Sequence, residues 1–129
     1  MQEPDDFRAA GRALFSLGLV RGTEGNLSTF RDGTLRITRT GSRLDRLEDG
    51  DVLGGSLRGE LSGASSDLEV HRSLYGERGP GAIAHSHPPG TVPEDGGGPG
   101  EHGLYVFGES LEEAVALSVR QVRGIETTP

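Results

Sequence analysis

The sequence predicts a single mixed α/β domain over residues 1–129, and three observations support this class. A length of 129 residues accommodates one domain of ordinary size. Three stretches carry apolar residues at helical spacing, and shorter stretches between them have the pattern of strands. Helices and strands alternate without the regular period of a doubly wound parallel sheet.

The N-terminal part predicts a helix followed by a hairpin. Apolar residues repeat at helical spacing from about residue 5 to 17: Phe7, Ala10, Leu14 and Leu17. Pro4 suits the first position of this helix, and Gly18 suits the position just past its end. Strands are expected at 27–30 and 35–38, because Arg31-Asp32-Gly33 between them is a hairpin signal. The glycine-rich segment 52–61 is poorly patterned, and we expect a second small hairpin there.

The C-terminal part predicts two helices and two strands. A helix is expected over 67–75, with Ser65 and Ser66 as natural N-caps. Strands are expected at 82–87 and 103–107, joined by a Pro- and Gly-rich loop over 88–100. Ser110-Leu111-Glu112-Glu113 is a capping box that opens the last helix. That helix carries an apolar stripe: Leu111, Val115, Val119 and Val122.

Composition excludes several classes of function. The net charge is -7, which disfavours binding to nucleic acid or to an anionic membrane surface. Cysteine is absent, which excludes disulfides, thiol catalysis and cysteine metal sites. All 13 basic residues are Arg, so chemistry through a lysine Schiff base is excluded as well. No apolar run approaches a bilayer span and no signal-peptide pattern is present, so we expect a cytoplasmic protein.

Three of the four histidines form a candidate metal site. His85 and His87 stand two residues apart on a predicted strand, so both imidazoles lie on one face and can reach the same ion. His102, at the start of the next strand, can supply a third ligand. Imidazole suits zinc, and a catalytic zinc keeps three protein ligands and one open position. An isolated His-x-His pair is more often free of metal, but the surrounding motifs favour the metal site here.

Three small polar turns form a candidate anion site. They are the glycine loop 22–26, which ends at Asn26, the turn Thr40-Gly41-Ser42, and the helix start Ser65-Ser66. Exposed loop amides and helix N-termini bind phosphate well. Ordinary turn chemistry explains each of them singly, whereas three in one small acidic domain favour a bound anion.

Asp67 is the candidate carboxylate beside these turns. It either complements the dipole of its helix or acts as a general acid–base next to a metal. Glu69 lies two residues on and points to another face, whereas His71, four residues on, shares the face of Asp67. We expect His71 to make internal hydrogen bonds rather than to bind metal.

Taken together, these motifs resemble the class II aldolase/adducin family. The resemblance covers about residues 7 to 124 and rests on the order and spacing of six short motifs. They are Gly22-Thr23-Glu24-Gly25-Asn26-Leu27-Ser28, Ile37-Thr38-Arg39-Thr40-Gly41, Ser65-Ser66-Asp67 with His71 and Tyr75, Ala84-His85-Ser86-His87-Pro88, His102-Gly103, and Gly108 with Ser110–Ala114.

The resemblance implies a fold and a set of site residues. The fold is a three-layer α/β/α arrangement around a central, mainly antiparallel sheet. A zinc or another divalent ion is implied on His85, His87 and His102. The acid–base carboxylate of the family aligns with Asp67, where the family usually has Glu. The implied phosphate pocket comprises Asn26, Thr40, Gly41, Ser65 and Ser66.

The implied activity is that of a metal-dependent carbon–carbon lyase. Sugar-phosphate aldolases of the family cleave a ketose 1-phosphate through a metal-stabilised enediolate, which requires no lysine. Two alternatives stay open: a dehydratase like that for methylthioribulose 1-phosphate, and a non-catalytic adducin-like binding or assembly domain. His87 and His102 stand only 15 positions apart, a shorter segment than the family pattern has, and no residue matches the family's proton-donating tyrosine. The resemblance also implies a homo-oligomer that takes a small sugar phosphate.

Overall fold

A computed structural model describes residues 3–65, 67–87 and 103–127. Two short 3-10 helices, Leu44–Arg46 and Asp49–Asp51, precede the third strand. The helices and strands follow one another in this order: α1 (Glu3–Ser16), β1 (Asn26–Arg31), β2 (Thr34–Thr38), β3 (Val52–Ser56), α2 (Leu68–Arg78), β4 (Gly81–Ser86), β5 (Leu104–Gly108) and α3 (Leu111–Thr127).

The five strands form one sheet in the order β3-β2-β1-β4-β5, and every neighbouring pair is antiparallel. β1 and β2 join through the two-residue turn Asp32-Gly33, both at positive φ, which confirms the predicted hairpin. The register places Asn26 of β1 opposite His85 of β4, and His85 opposite Tyr105 of β5. Because paired residues point to the same side of a sheet, these three side chains share one face.

Helices cover both faces of the sheet. On one face, α1 and α3 pack with Leu27, Ala82 and Ala84 around the larger hydrophobic core. On the other face, α2 places Tyr75 in a smaller core with Leu35 and Ile83 of the sheet. The arrangement confirms the three-layer α/β/α fold class. Among the residues that the structure describes, no helix is long and apolar enough to cross a membrane.

Two predicted elements differ from the structure. The segment 52–61 contains no second hairpin; its first half is the edge strand β3, which pairs with β2 and includes Gly54 and Gly55. Leu17 lies beyond the end of α1 and is 51% exposed, so it does not continue the buried stripe of Phe7, Ala10 and Leu14. The chain turns at Gly18, whose positive φ suits a position just past a helix end. The predicted loop 88–100 lies outside the described residues.

The start of α2 also differs from the prediction. The helix begins at Leu68 with Asp67 in the N-cap position, so the prediction of serine N-caps is wrong. The Asp67 side chain makes no cap hydrogen bond, and its backbone N–H donates to the Ser65 hydroxyl at 3.2 Å. Asp67 is therefore placed at the helix end but turned away from it, toward the sheet.

Candidate active site

A cleft of about 180 Å³ opens at the ends of β1 and β4, beside the start of α2. It brings together residues from four separate segments that the sequence proposes as site residues: Asn26, Thr40, Gly41, Ser65, Asp67 and His87. Two further predicted residues, Ser66 and His102, lie outside the described residues. A larger cavity of about 450 Å³ lies between α1 and α3 on the opposite face, and it contains no predicted site residue.

The glycine loop before β1 packs tightly against the site. Gly25 has φ +79°, and a Cβ there would lie 2.7 Å from the carbonyl oxygen of His85. Only glycine combines this left-handed conformation with so close an approach. The loop thus delivers Asn26, which is 4% exposed, to the first position of the strand.

Asp67 is the acidic centre of the cleft. Its Oδ2 accepts a hydrogen bond from Asn26 Nδ2 at 2.9 Å and lies 3.0 Å from His85 Nδ1. Burial raises the pKa of Asp67, but the hydrogen bond from Asn26 and the electrostatic interaction with the adjacent His85 outweigh it, so the pKa lies below its usual value. The side chain is therefore an ionised carboxylate at neutral pH.

His71 makes the internal hydrogen bonds that its spacing suggests. The ring is fully buried, with Nδ1 2.6 Å from the Ser28 hydroxyl and Nε2 hydrogen-bonded to Asn26 Oδ1. The Ser28 hydroxyl also lies 2.7 Å from the hydroxyl of Tyr75. Burial, aided by the nearby His85, lowers the pKa of His71 to about 3, so its ring is neutral.

Tyr105 stacks against His85 on the same face of the sheet. The two rings are 3.8 Å apart at 9°, and His71 meets the Tyr105 ring edge-on at 5.9 Å. Burial raises the pKa of Tyr105, and the Asp67 carboxylate beside its hydroxyl raises it further. Tyr105 thus keeps its proton at any physiological pH, next to the carboxylate.

The donors present fit a divalent cation in their chemistry. His87 lies one residue past the end of β4, with its ring centroid 4.7 Å from that of His85. The Asp67 Oδ2 atom lies 3.0 Å from His85 Nδ1, the position from which a carboxylate orients a metal-bound imidazole. A Cβ at position 103 would lie 2.7 Å from His85 Nε2, so the glycine there keeps a side chain away from this nitrogen. Within residues 3–65, 67–87 and 103–127, no group of three or more His, Asp or Glu side chains is arranged to hold a metal, and the predicted third ligand stands outside these ranges.

The two turns on the other side of the cleft are held together by main-chain contacts. Arg39 forms an isolated β-bridge with Ala64, while the N–H groups of Thr40 and Ser65 donate to nearby carbonyls at 2.9 and 3.1 Å. Gly41 occupies the turn with φ +77°. Because the amides of Thr40 and Ser65 are engaged, the groups that these two residues can offer to a ligand are their hydroxyls.

Sequence reasoning missed a cluster of arginines beside the cleft. A cavity of about 400 Å³ shares Arg39, Thr40 and Gly41 with the cleft and is also lined by Arg43 and Arg46. Asp51 holds Arg39 through a 2.7 Å contact. The spacing of these arginines, four and then three residues apart, is visible in the sequence. Only the fold shows that these arginines line one cavity together with the turn at Thr40-Gly41.

Comparison with known proteins is consistent with this geometry. Residues 5–93 match the model of the family described as Class II Aldolase and Adducin N-terminal domain. The chain is 36% identical over 84 residues to a 5-methylthioribulose-1-phosphate/5-deoxyribulose-1-phosphate aldolase of Rhodospirillum rubrum, covering 62% of this chain and 38% of the relative. It is 32% identical over 95 residues to a 5-deoxy-D-ribulose 1-phosphate aldolase of Bacillus thuringiensis, covering 68% of this chain and 45% of the relative. The matched segments thus span less than half the length of either relative.

A solved structure is similar over nearly the whole chain. The crystal structure of L-fuculose-1-phosphate aldolase from Thermus thermophilus superposes with a TM-score of 0.80 at 25% sequence identity. The match covers 92% of this chain and 88% of that one. The similarity in fold therefore extends beyond the 84 residues aligned with the Rhodospirillum relative.

Proposed function

The chain belongs to the class II aldolase and adducin family, and from this membership we propose that it catalyses the aldol cleavage of a ketose 1-phosphate. The observation that carries the proposal is the cleft, which collects an amide, a carboxylate, an imidazole and two hydroxyl-bearing turns from four separate segments. Each group has a use in this reaction, from phosphate binding to proton transfer.

The proposed phosphate position lies between the turns at Thr40-Gly41 and Ser65. Hydroxyl groups on both turns can donate to phosphate oxygens, and Ser66 remains a predicted contributor. The net charge of the chain is -7, which would repel a phosphorylated substrate. Arg39 lines both the cleft and the adjoining arginine cavity; its guanidinium is paired with Asp51 but half-exposed, so it can also donate to a phosphate oxygen.

Asp67 is the proposed acid–base group. Cleavage of a ketose 1-phosphate releases the C4 hydroxyl proton, breaks the C3–C4 bond and leaves a carbanion at C3 that must take up a proton. Asp67 faces the cleft as an ionised carboxylate, so in the cleavage direction it can take up the proton released by the C4 hydroxyl and then deliver a proton to the C3 carbanion. Its two contacts on Oδ2 hold it in one orientation.

Class II aldolases are generally dependent on a divalent metal, and His85 and His87 are the residues that we propose to hold it, with His102 as the predicted third ligand. When bound, such an ion supplies Lewis-acid stabilisation of the negative charge that develops on the substrate. The role of this chain is to orient those imidazoles. Asp67 contacts His85 at Nδ1 and Tyr105 stacks on its ring, which fixes the ring plane.

The substrate class that we propose is a 5-deoxy- or 5-methylthio-ribulose 1-phosphate. Both curated relatives carry such substrates in their names. Aldol cleavage of the 5-deoxy compound yields dihydroxyacetone phosphate from C1–C3 and acetaldehyde from C4–C5, with atoms balanced and no redox change.

The test is release of dihydroxyacetone phosphate from 5-deoxyribulose 1-phosphate, measured with protein of known zinc content. We expect turnover in the metal-loaded wild type and none in His85→Ala/His87→Ala, which should also lose stoichiometric metal. Exposed Glu69, on α2 but not lining the cleft, provides the matched control: Glu69→Gln should keep metal and turnover. Full metal content in the double variant would place the site elsewhere.

The same experiment separates the alternatives. Loss of water from the substrate without triose phosphate would indicate a dehydratase. A protein that binds no metal and turns over neither substrate would indicate an adducin-like binding or assembly role. We further propose a homo-oligomer in the cytoplasm, and sedimentation at several protein concentrations tests the oligomeric state.

A further inference from the structure

We propose that Asn26 and His71 are positioning residues for the Asp67 carboxylate. A buried hydrogen-bond chain, beginning at Tyr75 and Ser28, orients the Asn26 amide so that its NH2 group faces the carboxylate. The proposal rests on the proposed function only where Asp67 is assigned a role in proton transfer. It gives the Asn26 side chain a task other than the phosphate contact that the family resemblance implies.

The direction of donation along this hydrogen-bond chain follows from the chemistry of its groups. An ionised carboxylate only accepts hydrogen bonds, so the Asn26 atom 2.9 Å from Asp67 Oδ2 must be the NH2 nitrogen. The carbonyl oxygen of Asn26 then faces His71 and needs a donor, so the ring proton of His71 is on Nε2.

The other end of the chain follows in the same way. A neutral imidazole carries one proton, and with that proton on Nε2 the Nδ1 atom accepts from the Ser28 hydroxyl at 2.6 Å. The Ser28 proton is then used, so the Tyr75 hydroxyl donates to the Ser28 oxygen across 2.7 Å. Each contact has one donor and one acceptor, and reversing the whole chain would place the Asn26 carbonyl against the carboxylate.

Burial makes this arrangement specific. His71 and Ser28 are fully buried, Tyr75 is 2% exposed and Asn26 is 4% exposed. Water cannot replace a missing partner in such a place at low cost, so the amide has one favourable orientation. One of the two N–H donors of that amide is engaged by Asp67 and its carbonyl oxygen by His71, so the amide orientation is set inside the fold although the residue lines the cleft.

The first test needs no activity. In protein labelled with 15N-histidine, NMR identifies which ring nitrogen of His71 bears hydrogen, with the signal assigned by its loss in His71→Gln. We expect a neutral ring with the proton on Nε2 at about pH 7.5, both with metal and after chelation. A proton on Nδ1, or a doubly protonated ring, would overturn the proposed chain whether or not the protein proves to be an aldolase.

The second test separates positioning from phosphate binding. A Gln amide can donate to Asn26 from about the position of Nε2, whereas Leu fills the space without a donor. We expect His71→Leu to lose about 10²-fold in kcat, because a displaced catalytic group costs that much, with KM within about twofold. His71→Gln should stay within about tenfold of the wild-type kcat.

The probe for the phosphate site is inorganic phosphate, read as the rise in melting temperature that it produces. His71→Leu and Asn26→Ala should keep this rise, while Thr40→Val should lose most of it. Loss of the rise in Asn26→Ala to the same degree as in Thr40→Val would make Asn26 a phosphate ligand and refute the positioning role. An equal loss of kcat in the Gln and Leu variants of His71 would refute it too.

Discussion

Acidification should destabilise the fold through His71, and the size of the effect can be worked out from its surroundings. The ring is fully buried and hydrogen-bonded as the neutral form, with a pKa of about 3 against an ordinary value of 6.5. Because the folded-state pKa is lowered, the stabilisation is complete above about pH 6.5 and is lost progressively as the pH falls toward about 3.

The magnitude follows from linkage. Between about pH 7.5 and pH 5 the unfolded chain takes up a proton on this residue and the folded chain does not, which costs about 2 kcal/mol of unfolding free energy. The full loss down to about pH 3 is about 5 kcal/mol. A small domain has roughly 5–15 kcal/mol of stability in total, so the effect is large enough to measure.

Urea unfolding at about pH 7.5 and pH 5, in the presence of a chelator, measures it. The wild type should lose about 2 kcal/mol more than His71→Gln, which has no titrating ring at that position. The pKa of Asp67 is below its usual value of 3.8, so that carboxylate titrates outside this range and does not obscure the comparison. Equal losses in the two proteins would show that His71 is not held neutral by the fold.

Three further predictions concern the acid–base carboxylate, the glycine loop before β1 and the start of α3. Asp67→Asn should keep its metal and its fold but lose turnover by orders of magnitude. Asp67→Glu should raise turnover if the short Asp side chain of the wild type weakens proton transfer, and should lower it if the backbone has moved closer to compensate for that short side chain. Both effects are measured as kcat at saturating substrate. Gly25→Ala should lower the free energy of unfolding by about 1–3 kcal/mol more than Gly22→Ala does. Both glycines have positive φ, but only at Gly25 would a Cβ lie 2.7 Å from a carbonyl oxygen of β4. Equal urea midpoints for the two variants would contradict this. Ser110→Ala should cost about 1 kcal/mol, since its hydroxyl accepts from the Glu113 N–H at 3.1 Å, and an unchanged midpoint would show that the cap contributes nothing.

Local pattern was enough to predict the elements that have a strong signal of their own. The periodic stripe of Phe7, Ala10 and Leu14 predicted α1, and Asp32-Gly33 predicted the hairpin, because both signals depend on residues close in the chain. β3 was not predicted as an edge strand because its sequence has no alternating apolar pattern. It contains two glycines, and none of its residues is fully buried. Its identity as a strand comes from pairing with β2.

The candidate site likewise has a part that sequence motifs predicted and a part that only the fold shows. Sequence motifs alone nominated Asp67, His87 and the turn at Thr40, and the match over residues 5–93 supports the family from which their roles were taken. No local pattern could have shown that Ser28 and Asn26 bond to a histidine 43 and 45 residues away. The sequence by itself determined which chemical groups are available. Only the tertiary structure decided which of them meet, because the sheet register and the docking of α2 bring distant side chains into one buried, directional chain of hydrogen bonds.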